Sequence, residues 1–159
     1  GYYLKKFVNN ISCKEPATYP HAWMIFRYGE ILLNAAEAYN EAEGPAKAYS
    51  YINEVRARAG MPAYADMSQS ELRERIRNER RIELAFEDHR FWDVRRWKIA
   101  DTTQRELYGV KIEKQADGTF NFYKNLYETR NWRDCMYLYP IPQSELYKNT
   151  NLNPQNTGW

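Results

Sequence analysis

The sequence predicts a mainly α-helical fold that carries one small β-hairpin and an extended C-terminal tail. Apolar residues recur with helical spacing between residues 26 and 62, on both sides of a Gly-Pro pair. A charged stretch then runs without Gly or Pro from Ser68 to Asp88. Alternating residues on both sides of Asp117-Gly118 indicate the hairpin. At 159 residues, the chain is long enough for a single domain with a real core.

The N-terminal residues predict little regular structure. Residues 1–8 (GYYLKKFV) combine aromatic and β-branched residues with some alternation, which favours a short strand or an extended segment. Residues 9–20 are polar and contain Pro16 and Pro20, which predicts a loop.

The stretch 26–62 predicts two helices that resemble one tetratricopeptide unit. Gly44-Pro45 and the later Gly60 and Pro62 are typical of helix ends. The expected apolar faces are Ile31, Leu32, Ala35, Ala36 and Tyr39 in the first helix and Ala48, Ile52, Val55 and Ala59 in the second. One such unit cannot cover its own apolar face, so we expect the next helix to pack against it.

The next predicted helix begins at Ser68. Ser68 and Glu71 form a capping-box pattern, and Met67 and Leu72 occupy the positions of a hydrophobic staple. Good helix formers follow without interruption. The start of this helix is therefore strongly specified.

The charges of this helix form two columns of like sign, which cost free energy in an isolated helix. The columns are Arg73, Arg77 and Arg81 on one side and Glu79, Glu83 and Glu87 on the other. Leu72, Ile76 and Phe86 share the face on which Glu79 and Glu83 lie. We therefore expect structural ion pairs with other segments, and a helix packed deep in the fold. The residues expected in these pairs are Arg73, Arg77, Glu79, Arg80, Arg81, Glu83 and Glu87.

Two separated blocks carry the most specific signal. ELRERIRNERRIELAFEDHRFWDVRRW lies within residues 68–98, and LYPIPQSELYKNTNLNPQNTGW lies within residues 135–159. They resemble the signature helix and the PIP turn and tail of the SusD/RagB family, the surface glycan-binding lipoproteins of Bacteroidetes. Thr157 stands where the family commonly has Pro. Because members of the family are several times longer, the resemblance implies that this chain is the C-terminal portion of a longer protein.

The resemblance implies a non-catalytic protein at the cell surface, held to the outer membrane by a lipid anchor outside this fragment. It implies capture of an oligosaccharide or polysaccharide and delivery to a SusC-like TonB-dependent transporter, with this segment mainly a helical scaffold. Related proteins capture peptides, so the ligand class stays open, and the sugar site is implied to lie mainly in preceding segments. The alternative is a helical-repeat module that binds a protein or peptide.

The region after the charged stretch predicts shorter elements. Many members of the family carry Gly at the Asp88 position, and Asp tolerates left-handed backbone, so we expect a break there. Residues 108–124 predict the hairpin, and residues 125–134 predict a loop. Residues 135–139 favour a short strand, residues 144–148 one helical turn, and the last ten residues an extended tail.

Aromatic residues make up 16% of the chain, and aromatic rings stack on the flat faces of sugars. Most rings occupy predicted core positions, among them Phe26, Tyr39, Phe86, Phe91, Trp92 and Trp97. Tyr127, Arg130, Asn131 and Trp132 lie in the predicted loop instead and are the candidate ligand-binding residues. For Trp132, packing at the edge of the core is the favoured interpretation.

The sequence offers no pattern of an enzyme or of a nucleic-acid-binding protein. Glu79 and Glu83 are one helical turn apart, as a glycosidase pair can be, but the surrounding arginines favour structural pairing over a protonated catalytic acid. A net charge of +2 is too small to indicate a polyanionic partner. No apolar run approaches the ~20 residues that span a bilayer.

Metal ligands are not indicated either. His21, His89, Cys13 and Cys135 lack the spacing of a ligand set, so we expect neither a metal nor a cofactor. The extracellular location that the resemblance implies permits a disulfide between the two cysteines, with two free thiols as the alternative.

Overall fold

The computed structural model describes residues 4–7 and 24–159. Its helices are α1 (Tyr28–Glu43), α2 (Pro45–Arg58), α3 (Gln69–Glu83), α4 (His89–Arg96), α5 (Ala100–Thr103) and α6 (Gln143–Lys148), with 3₁₀ turns at Asp134–Tyr137 and Thr150–Leu152. Its strands are β1 (Glu106–Lys114) and β2 (Phe120–Thr129). The predicted mainly helical fold with one hairpin is confirmed.

The chain divides into two compact units. The helical unit covers residues 5–90, and the C-terminal unit is built mainly from residues 91–159. The single domain expected from the sequence stays a prediction, because two compact units can still unfold together.

The core of the helical unit lies where α1, α2 and α3 meet. It consists of Leu32, Leu33, Ala36, Ala48, Ile52, Val55, Leu72, Ile76 and Leu84. The third helix therefore covers the apolar face that the tetratricopeptide-like pair cannot bury by itself.

Glycine ends the first two helices as the sequence predicts. Gly44 has φ +89° between α1 and α2, and Gly60 has φ +70° just after α2. A left-handed backbone at these positions suits glycine, which has no Cβ. The N-terminus of α3 shows both hydrogen bonds of the capping box between Ser68 and Glu71.

Four packing expectations for the helical unit are wrong. Ile31 is 51% exposed, because the buried face of α1 is centred on Leu33 and Ala36. Ala59 is exposed because α2 ends before it. Phe86 is 64% exposed, because α3 ends at Glu83.

The fourth wrong expectation is that α3 packs deep in the fold, because this helix buries only one of its faces. Its other face is exposed along Glu74, Arg75, Asn78, Arg81 and Ile82.

The predicted break after α3 is confirmed, since Phe86 and Asp88 both have positive φ. The backbone therefore leaves the helix before Asp88 itself.

The hairpin is longer than predicted. Strands β1 and β2 pair antiparallel from Lys114 opposite Phe120 to Glu106 opposite Thr129, with an irregularity between Leu107 and Tyr108. The first half of the loop expected at residues 125–134 is therefore strand. This correction moves Tyr127 out of a loop and onto β2.

Several expectations for shorter segments are also corrected. Residues 135–139 do not form a strand, because a 3₁₀ turn occupies Asp134–Tyr137. Residues 4–7 contain a turn and no strand, while residues 1–3 and 8–23, with the predicted loop at 9–20, lie outside the described part. The helical turn predicted at residues 144–148 is present as α6.

The C-terminal tail is folded back rather than extended throughout. The side-chain amide of Gln155 accepts from the backbone N–H of Ile141 at 2.7 Å and donates to its carbonyl at 2.8 Å. The indole Nε1 of Trp159 donates to the carbonyl of Cys135 at 3.0 Å.

None of the helices formed by residues 24–159 has the length and apolarity needed to cross a bilayer.

We expect Ile52→Ala to lower the free energy of unfolding by about 2–5 kcal/mol, because its fully buried side chain would leave a cavity. Ile82→Ala is the matched control, since Ile82 is 61% exposed on α3. Its effect should stay within about 0.5 kcal/mol. Urea unfolding of the 159-residue chain, followed by circular dichroism, measures both. Equal losses of unfolding free energy in the two variants would contradict the assignment of Ile52 to the core.

Candidate functional site

The carboxylates of α3 and the turn after it form one cluster with cations from other segments. We call Glu79, Glu83 and Glu87 with Arg27, Arg56, Arg58 and Lys6 the carboxylate cluster. All of its members belong to the helical unit.

The buried end of the carboxylate cluster is the pair between Glu79 and Arg56. Arg56 Nη1 lies 2.7 Å from Glu79 Oε2, and the two side chains are 7% and 10% exposed. Arg56 also donates from Nε to the carbonyl of Pro62 at 2.7 Å, and its guanidinium lies 3.7 Å from the centroid of the Tyr64 ring. The arginine is thus fixed on three sides, which offsets part of the cost of burying the charges.

The other end joins α3 to both neighbouring helices. Arg27, at the start of α1, donates to Glu83 Oε1 and to Glu87 Oε2, each at 2.6 Å. Arg58 of α2 donates to Glu83 Oε2 at 2.6 Å. Lys6 contacts Glu87 and donates to the backbone carbonyl of Glu83 at 2.9 Å.

Two features reinforce this end. A Cβ at Gly29 would lie 2.8 Å from Arg27 Nη1, so the glycine leaves room for the guanidinium against α1. Arg27 and Lys6 also both donate to the carbonyl of Glu83, the last residue of α3, where the negative end of the helix dipole favours cations.

The remaining arginines predicted to pair divide into two groups. Arg73 makes a two-point contact with Glu41 of α1 at 2.7 and 2.6 Å, and Arg80 contacts Asn34 and Glu37 of the same helix. The other two bond along α3 itself, where Arg77 donates to Glu74 at 2.8 Å and Arg81 donates to Asn78 at 3.2 Å.

The electrostatics of the cluster favour a charged carboxylate at Glu87. Burial acts to raise the pKa of Glu87, but hydrogen bonds from Arg27 and Lys6 outweigh it and hold that pKa below its usual value. Burial likewise acts to lower the pKa of Arg27, and its bonds to Glu87 and Glu83 reverse the effect and raise it. The carboxylates of the cluster therefore act as hydrogen-bond acceptors for the arginine and lysine side chains.

A second feature is a cavity of about 1090 Å³ in the C-terminal unit, which we call the C-terminal cleft. Its lining combines aromatic, cationic, acidic and amide side chains. The lining residues are Trp92, Arg95, Arg96, Lys98, Asp101, Asp134, Cys135, Tyr137, Leu138, Gln155, Asn156 and Thr157.

One wall of the C-terminal cleft is the last part of α4. Trp92 is 58% exposed and meets Phe91 edge to face, with ring centroids 5.0 Å apart. The guanidinium of Arg95 lies 3.6 Å from the Phe91 centroid. Arg96 forms an ion pair with the buried Asp93 at 2.8 Å.

Other lining residues are held by hydrogen bonds. The hydroxyl of Tyr137 donates to Asp101 Oδ1 at 2.9 Å. Burial raises the pKa of Tyr137, and the nearby Asp101 carboxylate adds to that rise. Asn156 donates from Nδ2 to the carbonyl of Tyr139 at 2.7 Å. This part of the lining is therefore rigid, with polar atoms along the rim.

The four candidate ligand-binding residues have different surroundings, and their predicted role stays a prediction. Tyr127 is 79% exposed on β2, and Arg130 pairs with Glu128 two residues before it at 3.1 Å. Asn131 is exposed. Trp132 is half-buried, with its ring 5.1 Å from that of Tyr137 and 5.3 Å from the guanidinium of Arg95.

Sequence reasoning missed Trp92 as an accessible ring. The predicted core positions of Phe26, Phe86, Phe91 and Trp92 are wrong, since all four are exposed, while Tyr39 and Trp97 are half-buried. Helix α4 buries Asp93 and Val94 instead, so the neighbouring rings of Phe91 and Trp92 face outward.

No set of three or more His, Cys, Asp or Glu side chains suited to a metal occurs among residues 4–7 and 24–159. His89 lies 3.6 Å from the buried Glu30. Cys135 is a half-buried free thiol. Cys13 and His21 lie outside the described residues, so their predicted roles stay predictions.

A sequence profile of the SusD family matches residues 1–159. The chain belongs to the SusD family. The SusD-like protein P2 of Formosa agariphila is 40% identical to it over 143 residues, which are 84% of this chain and 25% of that protein.

Solved structures of SusD-like proteins share the fold. A SusD-like protein from Bacteroides fragilis is 42% identical, with a TM-score of 0.74 over 86% of this chain and 26% of that one. A SusD-like carbohydrate-binding protein from Bacteroides vulgatus, 23% identical, aligns with a TM-score of 0.54 over 82% of this chain and 29% of that one, a likeness that supports the fold alone. The chain thus spans about a quarter of the length of the relatives it matches.

Removing the arginine of the buried pair should strongly destabilise the helical unit. We expect Arg56→Met to lower the free energy of unfolding by about 3–5 kcal/mol, because Glu79 would stay buried without its partner. Arg73→Met is the matched control; its pair with Glu41 is part exposed and should contribute at most about 1 kcal/mol. Adding Glu79→Leu to Arg56→Met should restore most of the loss. Urea unfolding measures the stability of all three variants. Equal losses in the two single variants would contradict the assignment of Arg56 and Glu79 as a buried ion pair.

The lowered pKa of Glu87 predicts a definite pH dependence. Because the folded-state pKa lies below the unfolded value of about 4.3, the stabilisation is complete above that value and is lost as the pH falls through the folded pKa. Glu87→Gln should therefore destabilise the chain at pH 7 and flatten the decline in stability below pH ~5. Unfolding free energies from pH 7 to 3 test this, and parallel curves for the two proteins would contradict it.

Proposed function

We propose that this chain is the C-terminal portion of a longer, non-catalytic protein of the outer membrane that captures a glycan at the cell surface. The full-length protein passes the sugar to a SusC-like TonB-dependent transporter, and its lipid anchor lies outside this portion. Membership of the SusD family supports the class of function. The relatives, about four times longer than their matched segments, support the view that this is one part of a larger protein.

Within that protein, the chain acts mainly as a helical scaffold. The observation that carries this role is the carboxylate cluster, in which Arg27 of the α1 start and Arg58 of α2 bind the same glutamate, Glu83. The core beneath it fixes the same three helices to one another. A rigid unit of this kind supports loops or partner surfaces contributed by other segments.

The non-catalytic role is supported by the state of the two glutamates that resemble a glycosidase pair. Both Glu79 and Glu83 accept hydrogen bonds from guanidinium groups. A glycosidase needs one carboxyl group that donates a proton to the leaving oxygen. Carboxylates engaged in this way act as acceptors and structural partners.

The proposal is tested by titrating the full-length protein calorimetrically with malto-, cello-, xylo- and mannohexaose and with oligogalacturonate. We expect saturable binding of at least one of them, and chromatography after overnight incubation should recover that oligosaccharide uncleaved. Shortened products would contradict the non-catalytic role.

The same experiment separates glycan capture from the rival peptide-binding module. Absence of binding to all five saccharides, combined with saturable binding of a peptide library by the helical unit, would favour the rival. Co-purification of the full-length protein with its SusC-like transporter from outer membranes tests the delivery step. A transporter that purifies without it would contradict that step.

A further inference from the structure

We propose that the C-terminal cleft is a subsite for an uncharged sugar ring of the captured glycan, with Trp92 as its stacking platform. This inference rests on the proposed function and adds a location and a ligand class to it. Its location also differs from the sequence-based candidates Tyr127, Arg130, Asn131 and Trp132, none of which lines the cleft.

The aromatic part of the subsite is already exposed. Trp92 is 58% exposed, and its contact with Phe91 is edge to face at an interplanar angle of 83°, so the two rings do not cover each other by stacking. A pyranose ring presents C–H groups to such a surface. Trp132 is less suited to this role, because it is half-buried against Tyr137 and Arg95.

The charges around the cleft favour a neutral ligand. Three cations, Arg95, Arg96 and Lys98, line it together with two carboxylates, Asp101 and Asp134. The third carboxylate that balances them is Asp93, which holds Arg96 in an ion pair at 2.8 Å. With charges balanced in this way, the site attracts neither anions nor cations from a distance.

The rim offers both donors and acceptors for hydroxyl groups. Neither the amine of Lys98 nor the carboxylate of Asp134 has an ion pair or side-chain hydrogen bond with any of the described residues. The Oδ1 atom of Asn156 is a further acceptor, since the same side chain uses its Nδ2 for the Tyr139 carbonyl. A sugar hydroxyl donates one hydrogen bond and accepts others, so a rim of mixed polarity matches it.

The walls are preorganised. Gln155 binds both backbone groups of Ile141, and Tyr137 binds Asp101, so ligand binding requires little ordering of the tail or of the 3₁₀ turn. The cavity of about 1090 Å³ has room for one ring with its neighbours in a chain.

The test uses the full-length protein and whichever of the four neutral hexasaccharides binds it. Trp92→Ala should weaken binding about tenfold or more, because a central aromatic contact is lost. Trp92→Phe should retain most of the affinity. Tyr147→Ala is the matched control, since Tyr147 is a 79% exposed ring on α6 that does not line the cleft; it should leave the affinity unchanged.

Two further measurements locate the site and define the ligand class. Hydrogen exchange should slow in peptides covering residues 92–101 and 134–138 when the hexasaccharide is added. The affinity should be nearly the same at 50 and 500 mM salt, because no net charge is neutralised.

Each contrary result has a distinct meaning. If the wild-type protein binds a hexasaccharide and Trp92→Ala binds it equally well, the subsite is overturned and the proposed function stands. If oligogalacturonate alone binds, with an affinity that falls steeply with salt, the neutral ligand class is overturned. If no saccharide binds, glycan capture fails and the subsite fails with it.

Discussion

The pairing of buried carboxylates on α3 with cations from other segments is the constraint on which the helical unit depends. Glu79 is buried on the same face of α3 as Leu72 and Ile76, where an unpaired carboxylate would be costly. Arg56 of α2 forms an ion pair with Glu79, and the position of its guanidinium is fixed by contacts with Pro62 and Tyr64. Charge pairing at this place therefore selects one arrangement of α2 against α3, while apolar burial supplies most of the driving force.

The same constraint explains where α3 ends. Beyond Glu83 the chain adopts positive φ at Phe86 and Asp88, which stops the helix and turns Glu87 back toward Arg27 and Lys6. Arg27 binds both Glu83, in the last turn of α3, and Glu87, beyond the break. These ion pairs hold the turn after α3 against the end of the helix.

Much of this architecture is predictable from local patterns. Glycine after each of the first two helices, the capping box at Ser68 and the Asp117-Gly118 turn each depend on a few neighbouring residues, and these features are present in the structure. The exposure of Ile31 and Trp92 was not predictable in this way. It depends on which of several apolar residues faces the core, and that choice is made by packing between elements distant in sequence.

The candidate site illustrates the same limit. The segment 127–132 had the right residue types, but the strand β2 continues through Tyr127 and tertiary packing takes Trp132 into contact with Tyr137. The C-terminal cleft collects residues from α4, from the turn at Asp134–Tyr137 and from the tail, over more than 60 positions of the chain. No sequence window contains such a site, whereas the carboxylate column Glu79, Glu83 and Glu87 lies within one short segment and is visible in the sequence.

Native-state hydrogen exchange of the full-length protein tests the central claim most directly. If the buried face of α3 is held by neighbouring helices through its neutralised charges, the amides of residues 76–83 should open only with α1 and α2, at the highest free energy in the chain. The same amides should be far better protected than those of β2, whose residues are all exposed. Exchange of α3 at a free energy well below that of α1 and α2 would show an independently opening helix and would contradict the account.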